Sequence, residues 1–253
     1  MKPCYLDGRG GLQVRLDGPA LSARRPGRAT TLVPLRRISR IIASGPVELA
    51  TPLLLACAER GITVTFLHED GALRAYLFGD APRRQSLFQR LQDFLDRPDW
   101  LRRYNDWRRS IDSRARRRLC WRLQLAPDRY PLMYLLRVLR HEQEKRIGAP
   151  QRARAFRRLQ GMARALAADL LAERGLDARR IRDFDGRIDL IRDLARWQLI
   201  DLQWPLLHEL RRRESGIEPS QAELIALFEA RTPRLRRISR TILNRLHRFL
   251  VEI

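Results

Sequence analysis

The hydrophobic pattern of this 253-residue chain changes period once, near residue 83, and that change limits the possible folds more than any other feature. Before it, short apolar segments alternate with polar residues and are broken by glycine and proline. Gly8, Gly10, Gly11 and Gly18 bound segments too short for helices, and Gln13-Val14-Arg15-Leu16 alternates as a half-buried strand does. Residues 32–35 form a short strand whose Pro34 points to a sheet edge. Residues 38–43 read as another strand, and Gly45-Pro46 as a turn. Thr51 is expected to cap a helix with Pro52 in its first position, running to Arg60 and stopping at Gly61. Residues 62–67 are β-branched and apolar enough for a buried strand, Asp70-Gly71 signals a hairpin turn, and residues 73–78 supply the return strand.

After the change, glycine and proline thin out and apolar residues recur every three or four positions. Leu87, Leu91, Phe94 and Leu95 share one helical face. An arginine-rich stretch over residues 100–125 surrounds Trp107, Ile111 and Leu119. Further helices are expected near 131–147, 150–174, 187–212, 220–230 and 232–251, the last with Leu235, Ile238, Ile242, Leu246, Phe249 and Leu250 on one stripe. The fold class is α+β: a small β-rich N-terminal domain, residues 1–82, followed by a larger all-helical C-terminal domain, residues 83–253.

Charge narrows the function. Lysine and arginine number 51 against 29 acidic residues, a formal charge of +22, and the only lysines are Lys2 and Lys145. A preference for arginine over lysine can follow from base composition, but an excess of this size cannot. Guanidinium forks match phosphate oxygens in bidentate geometry, and the summed field attracts polyanions. Cys4, Cys57 and Cys120 lack zinc-ligand spacing, and an odd number argues against a disulfide framework. Cys57, in an apolar run, is expected in the core. No apolar run approaches the ~18 residues of a membrane span, and the opening residues do not read as a secretory leader, so a cytoplasmic, reduced setting is expected, without membrane contact. No Walker-type glycine loop or Ser/His/Asp arrangement is present.

The segment from Leu32 through Pro34, Ile38 and Gly45 to Val47-Glu48-Leu49-Ala50-Thr51 resembles one typical of the CRISPR spacer-acquisition integrase family, where "I-P-L", an apolar strand, a glycine and "V-x-L-S-T" follow in order. Leu53-Leu54-Leu55, Arg60-Gly61-Ile62, Asp70-Gly71 and then Arg84-Gln85 continue that order. The resemblance implies a dimerising β-rich domain and a helical domain that carries metal-dependent chemistry. Family members insert short DNA pieces into CRISPR arrays, usually with a small partner protein, Cas-two. The family's Mg²⁺ or Mn²⁺ ligands are a glutamate, a histidine and a second acid.

Against that pattern this chain departs. The family glutamate follows "R-G-x-E-G" at a helix start. The nearest text is Leu139-Arg140-His141-Glu142-Gln143-Glu144, which keeps Glu142 and Glu144 without the glycines; the plain alternative is a surface glutamate paired to Arg146. Arg174-Gly175-Leu176-Asp177 is similar to the family's "A-G-L-D-P", but no histidine follows within residues 180–187. In "D-L-M-E-x-F-R" the acid position becomes Arg196, within Asp193-Leu194-Ala195-Arg196-Trp197. A rebuilt catalytic set would use Glu142, Glu144 and Asp189, and a metal, if any, Glu142 and Asp193. Asp183 and Asp185 lie in the same acidic stretch, which can instead be an ion-pair network with Arg192, and His208-Glu209 follow further along.

The resulting expectation is a protein that binds double-stranded DNA and needs no cofactor, its catalysis lost or weakened, serving as a subunit of a spacer-acquisition or related defence complex. Phosphate contacts are expected from Arg114, Arg116, Arg117, Arg118, Arg152, Arg154, Arg157, Arg158 and Arg196. Trp107, Trp121, Trp197 and Trp204 are candidates for stacking on bases, with a core role the commoner fate. The alternative is an active metal-dependent DNA integrase or endonuclease with a rearranged site, taking Mg²⁺ or Mn²⁺. A homodimer is expected, with an active paralogue or Cas-two as further partners.

Overall fold

The computed structural model describes residues 2–78, 86–126, 129–176, 184 and 186–252. The strand-rich part contains β1 (Lys2–Asp7), β2 (Gln13–Asp17), β3 (Ala20–Arg24), β4 (Thr31–Pro34), β5 (Ile38–Ser44), β6 (Glu48–Leu49), α1 (Thr51–Glu59), β7 (Thr63–Leu67) and β8 (Leu73–Leu77). The helical part contains α2 (Ser86–Leu95), α3 (Trp100–Arg122), α4 (Leu132–Ile147), α5 (Ala149–Ala172), α6 (Leu190–Arg211) and α7 (Gln221–Val251). The α+β architecture is the one expected; the boundary at residues 82 and 83, with Arg84-Gln85, lies outside the described residues.

The strands form two sheets of four, ordered β1-β5-β7-β8 and β4-β3-β2-β6. In the first, β1, β5 and β7 run parallel and β8 returns antiparallel after the 68–72 turn. Period two explains how β5 serves two cores. Ile41 and Ala43 face the second sheet and α1, among Val14, Leu21, Leu53 and Cys57. Arg40 and Ile42 face the helices, where Ile42 and Leu67 meet Ala165 of α5. Pro34 sits on an edge strand, as expected.

Three strands escaped the pattern: β1, β3 and the two-residue β6. Pro3 masks β1, yet β1 is a sheet edge, where a missing N–H is tolerated. The short β3 holds only Leu21 as a large apolar residue. Two further expectations need correction. Thr51 is the first residue of α1 rather than its cap; Ala50 holds that position with no side-chain hydrogen bond, and Pro52 lies in the first turn. The helices expected at 220–230 and 232–251 are one helix, α7, which passes through Pro233. Pro233 removes the backbone donor to the Glu229 carbonyl, and Thr232 Oγ1 donates to the neighbouring Phe228 carbonyl at 3.2 Å. The buried stripe Phe228, Thr232, Leu235, Ser239, Ile242 stays in phase across it, so packing holds both halves in line.

The strand-rich part rests on α5 at a close backbone approach. Gly71, in the hairpin turn at φ +86°, leaves no room for a Cβ, which would fall 2.5 Å from Arg158 Cα. Gly161 faces the same turn, and a Cβ there would collide with the Gly71 carbonyl oxygen. Beside this contact Arg40, 1% exposed, reaches across to Glu229 of α7 at 3.2 Å and Asp169 of α5 at 3.9 Å. Tyr5 of β1 donates to the same Glu229 oxygen.

Candidate nucleic-acid interface

Helices α3, α4, α5 and α6 pack around the residues singled out from the sequence. Trp197 of α6 is fully buried and packs edge-on against Trp107 of α3 at 5.5 Å, so two of the four tryptophans considered for stacking are core. Trp197 Nε1 donates to Asp112 Oδ1 at 2.8 Å, and the neighbouring Arg196 guanidinium donates to Asp112 Oδ2 at 2.9 Å. One carboxylate on α3 thus fixes an anchoring ring and a surface cation on successive residues of α6. Arg196 is about one-third exposed and faces outward from this pair.

Two surface depressions meet at Arg196. One, between α3 and α6, is lined by Arg102, Asn105, Arg108, Arg109 and Asp112. The other, between α4, α5 and α6, is lined by Arg164 and Arg192, with Gln160, Gln203 and the apolar Leu136, Phe156 and Leu199 beneath. Next to its Phe156 stands Arg152, whose guanidinium lies 4.3 Å from the Phe156 ring centre and donates to Gln143 Oε1 at 3.1 Å. Gln143 is itself buried and donates to the Gln203 carbonyl at 2.9 Å, tying α4 to α6. Burial pulls the Arg152 pKa downward. The result is an arginine-lined groove in which Arg108, Arg152 and Arg196 are held by neighbours, which lowers the entropy lost when they meet an anion.

The candidate acids are engaged otherwise. Glu142 pairs with Lys145 at 3.1 Å, the bond that draws its pKa down, rather than with Arg146. Glu144 pairs with Arg140 at 2.6 Å. Asp189 caps α6, accepting from the Arg192 backbone N–H at 2.8 Å. Asp193 is buried, accepts from the Tyr104 hydroxyl at 2.8 Å and lies 3.0 Å from Arg108; burial raises its pKa from the ordinary aspartate value. Among the described residues no three His, Cys, Asp or Glu side chains group as metal ligands. Glu142 and Glu144 also lie toward the C-terminal end of α4 and not at a helix start. The helix start with an adjacent glycine is Gly148, which opens α5 with Pro150 and Gln151 in its first turn and brings no carboxylate. Among the described residues these acids are thus engaged by cations, a hydroxyl or a helix terminus rather than grouped with one another. Asp183 and Asp185, like Asp177, lie outside the described residues. His208 is exposed, and Glu209 pairs with Arg213 at 2.9 Å.

The candidate phosphate contacts divide. Arg114 and Arg117 are exposed on α3, and Arg116 and Arg118 are half-buried there, with burial lowering the Arg118 pKa. Arg154 pairs with Glu218 at 2.7 Å and Arg157 with Asp70 at 3.3 Å, while Arg158 packs against Gly71. Arg157 and Arg158 thus also join the hairpin to α5. Sequence reasoning missed Arg102, Arg108, Arg109, Arg164 and Arg192 as groove residues. The i,i+4 spacing of Arg192 and Arg196 was the available signal, since it places both on one face.

Residues 5–103 match the family model of CRISPR associated protein Cas1. A solved CAS1 protein from Thermotoga maritima superposes over 99% of this chain and 97% of its own, with a TM-score of 0.76 and 11% identity. The chain thus resembles the Cas1 family over residues 5–103 and shares the fold of a solved CAS1 protein along its length. The Cas1 model spans the strand-rich part and the start of the helical part, and beyond residue 103 the likeness is one of fold. A casposase bound to integration product is similar over 100% of this chain and 92% of its own, with a TM-score of 0.68 and 11% identity. A TtCas1–DNA complex is similar over 98% and 92%, with a TM-score of 0.55 and 16% identity. No curated protein matches the sequence. No helix among the described residues is long and apolar enough to cross a membrane.

Proposed function

We propose that this Cas1-like chain holds double-stranded DNA along the arginine-lined groove, as a subunit of a spacer-acquisition or related defence complex, with metal-dependent catalysis lost or weakened. The observation that carries the reading is Arg196. It stands where the family resemblance expects a carboxylate, it is held by Asp112, and it joins two arginine-lined depressions into one surface. A guanidinium there repels a divalent cation and offers a phosphate clamp instead. Two proteins of similar fold were solved with DNA or its integration product, which supports the same class of ligand. The contacts are to phosphates, so the groove positions a duplex without reading its sequence. The strand-rich part is proposed as the dimer surface, with an active paralogue or Cas-two as further partners.

The test pairs a duplex-binding titration with a strand-transfer and cleavage assay in Mn²⁺. Salt-sensitive binding without products is expected, with Arg196→Glu weakening affinity by roughly ten-fold. Metal-dependent products abolished by chelator would instead establish the active-enzyme alternative. Unchanged affinity in Arg196→Glu would remove the clamp.

A further inference from the structure

The seam between the strand-rich part and the helices holds a cleft that the groove does not use. It lies at the C-terminal ends of the parallel strands β1, β5 and β7, under α5 and α7. Two contacts fix the spacing of the parts that line it. The Gly71 turn meets the backbone of α5 at Arg158, and Tyr5 and Arg40 hold Glu229 of α7. With both helices pinned in this way, Ile42, Leu67, Met162 and Leu224 do not close on one another, although each is buried. About 390 Å³ remains between them, counting the mouth. Protein interiors leave few voids wider than a water molecule, and an apolar space at the junction of two parts is a recurrent position for a small ligand.

The polar groups of the cleft narrow the ligand. The Tyr5 hydroxyl is engaged by Glu229, and Ser44 Oγ donates to the His68 carbonyl at 3.3 Å. Gln221 Oε1 accepts from Arg9 Nη2 at 3.2 Å. Arg158 differs from all three. It is half-buried, and its Nε is buried without a hydrogen-bond partner. Among the described residues no carboxylate pairs with its guanidinium, whereas Arg154 and Arg157 of the same helix each have one. The cleft thus combines an apolar wall with one uncompensated cation. A sugar or a peptide would bury polar groups there without partners. A carboxylate on a short alkyl chain satisfies both the wall and the guanidinium. We propose that this cleft binds short-chain monocarboxylates, with the chain against Met162, Leu224 and Ile225 and the carboxylate on Arg158. The proposal goes beyond the DNA-holding reading and stands whether or not that reading holds.

The experiment follows the methyl signals of Met162 and Met133 by carbon-13 NMR while the chain is titrated, at fixed ionic strength, with hexanoate and separately with hexanol. Hexanol keeps a chain of the same length and lacks the charge. Met133 is 66% exposed on α4, so it reports association elsewhere on the surface. Hexanoate is expected to shift Met162 saturably with a Kd of about 1 mM while Met133 stays in place, and hexanol to bind about ten-fold more weakly. Arg158→Leu brings hexanoate to the hexanol value. Leu224→Trp fills the space and removes the Met162 response to both; should that variant fail to fold, the wild-type comparison of the two probes still decides. No shift of Met162 by ~10 mM hexanoate, or equal shifts at Met162 and Met133, overturns the proposal. Equal affinity for hexanoate and hexanol overturns it too, since the guanidinium then plays no part. An Arg158→Leu variant that still prefers hexanoate overturns the assignment of the carboxylate to Arg158.

Discussion

Replacing Arg40 by methionine tests how the strand-rich part is tied to the helices. The guanidinium is 1% exposed and faces two carboxylates, Glu229 at 3.2 Å and Asp169 at 3.9 Å. Removing one member of a buried ion pair costs about 3–5 kcal/mol, because the surviving charge stays desolvated. Here two features temper that cost. Asp169 keeps Arg236 at 2.5 Å, and the Glu229 side chain is 29% exposed, so water reaches it. The lower end, about 3 kcal/mol, is therefore expected, or roughly 6–12 °C in Tm for a chain of this length. The loss depends on pH. Burial raises the Asp169 pKa, and Arg40 is one of the groups that hold it down, so the variant raises it further. A group whose folded-state pKa is raised contributes stability that is present at low pH and lost as pH rises through that value. The penalty of Arg40→Met should thus be smallest in acid and grow toward neutrality. Equilibrium urea unfolding at pH 5 and pH 7.5, with Glu229→Gln completing a double-mutant cycle, measures both effects. A loss below about 1 kcal/mol at pH 7.5, or a coupling near zero with Glu229→Gln, would refute the argument that this cluster joins the two parts.

Trp197→Ala should cost about 3–5 kcal/mol in urea unfolding, since it empties a fully buried site and strips Asp112 of its indole donor. Glu223 completes a capping box with Ser220 and pairs with Arg213, which lowers its pKa from 4.5 to about 2. Its stabilisation is therefore complete above pH 4.5 and lost as pH falls toward about 2, and Glu223→Gln should flatten the acid limb of a stability–pH curve across that window. Light scattering of the purified chain should give a dimer; a strict monomer at all concentrations counts against the proposed role of the strand-rich part.

The period change near residue 83 carried the α+β architecture, because alternation and 3.6-residue spacing both follow from which faces are buried. β5, β7 and the hairpin were legible for that reason. β1 and the continuity of α7 were not, since a proline in each argues locally against the element and only tertiary position reverses it. Arg40 was hidden by its residue type: nothing in Ile38-Ser39-Arg40-Ile41-Ile42 shows that carboxylates from α5 and α7, far along the chain, converge on it. The site divided in the same way. Arg196 was found because it displaces an expected acid, but its partner Asp112 lies on another helix. The groove arginines come from helices that only folding brings together. Trp107 and Trp197 share their residue type with Trp121, and burial alone separates the two core rings from the exposed one.

The most direct test of the groove is the salt dependence of duplex binding, measured for the wild-type chain and for Arg196→Gln. Each phosphate neutralised contributes a slope of about −0.9 in log K against log salt. The account predicts a slope of several units for the wild-type chain, shallower by about one in the variant, with affinity reduced uniformly across sequences. Identical slopes and affinities for the two proteins would contradict the phosphate clamp at Arg196.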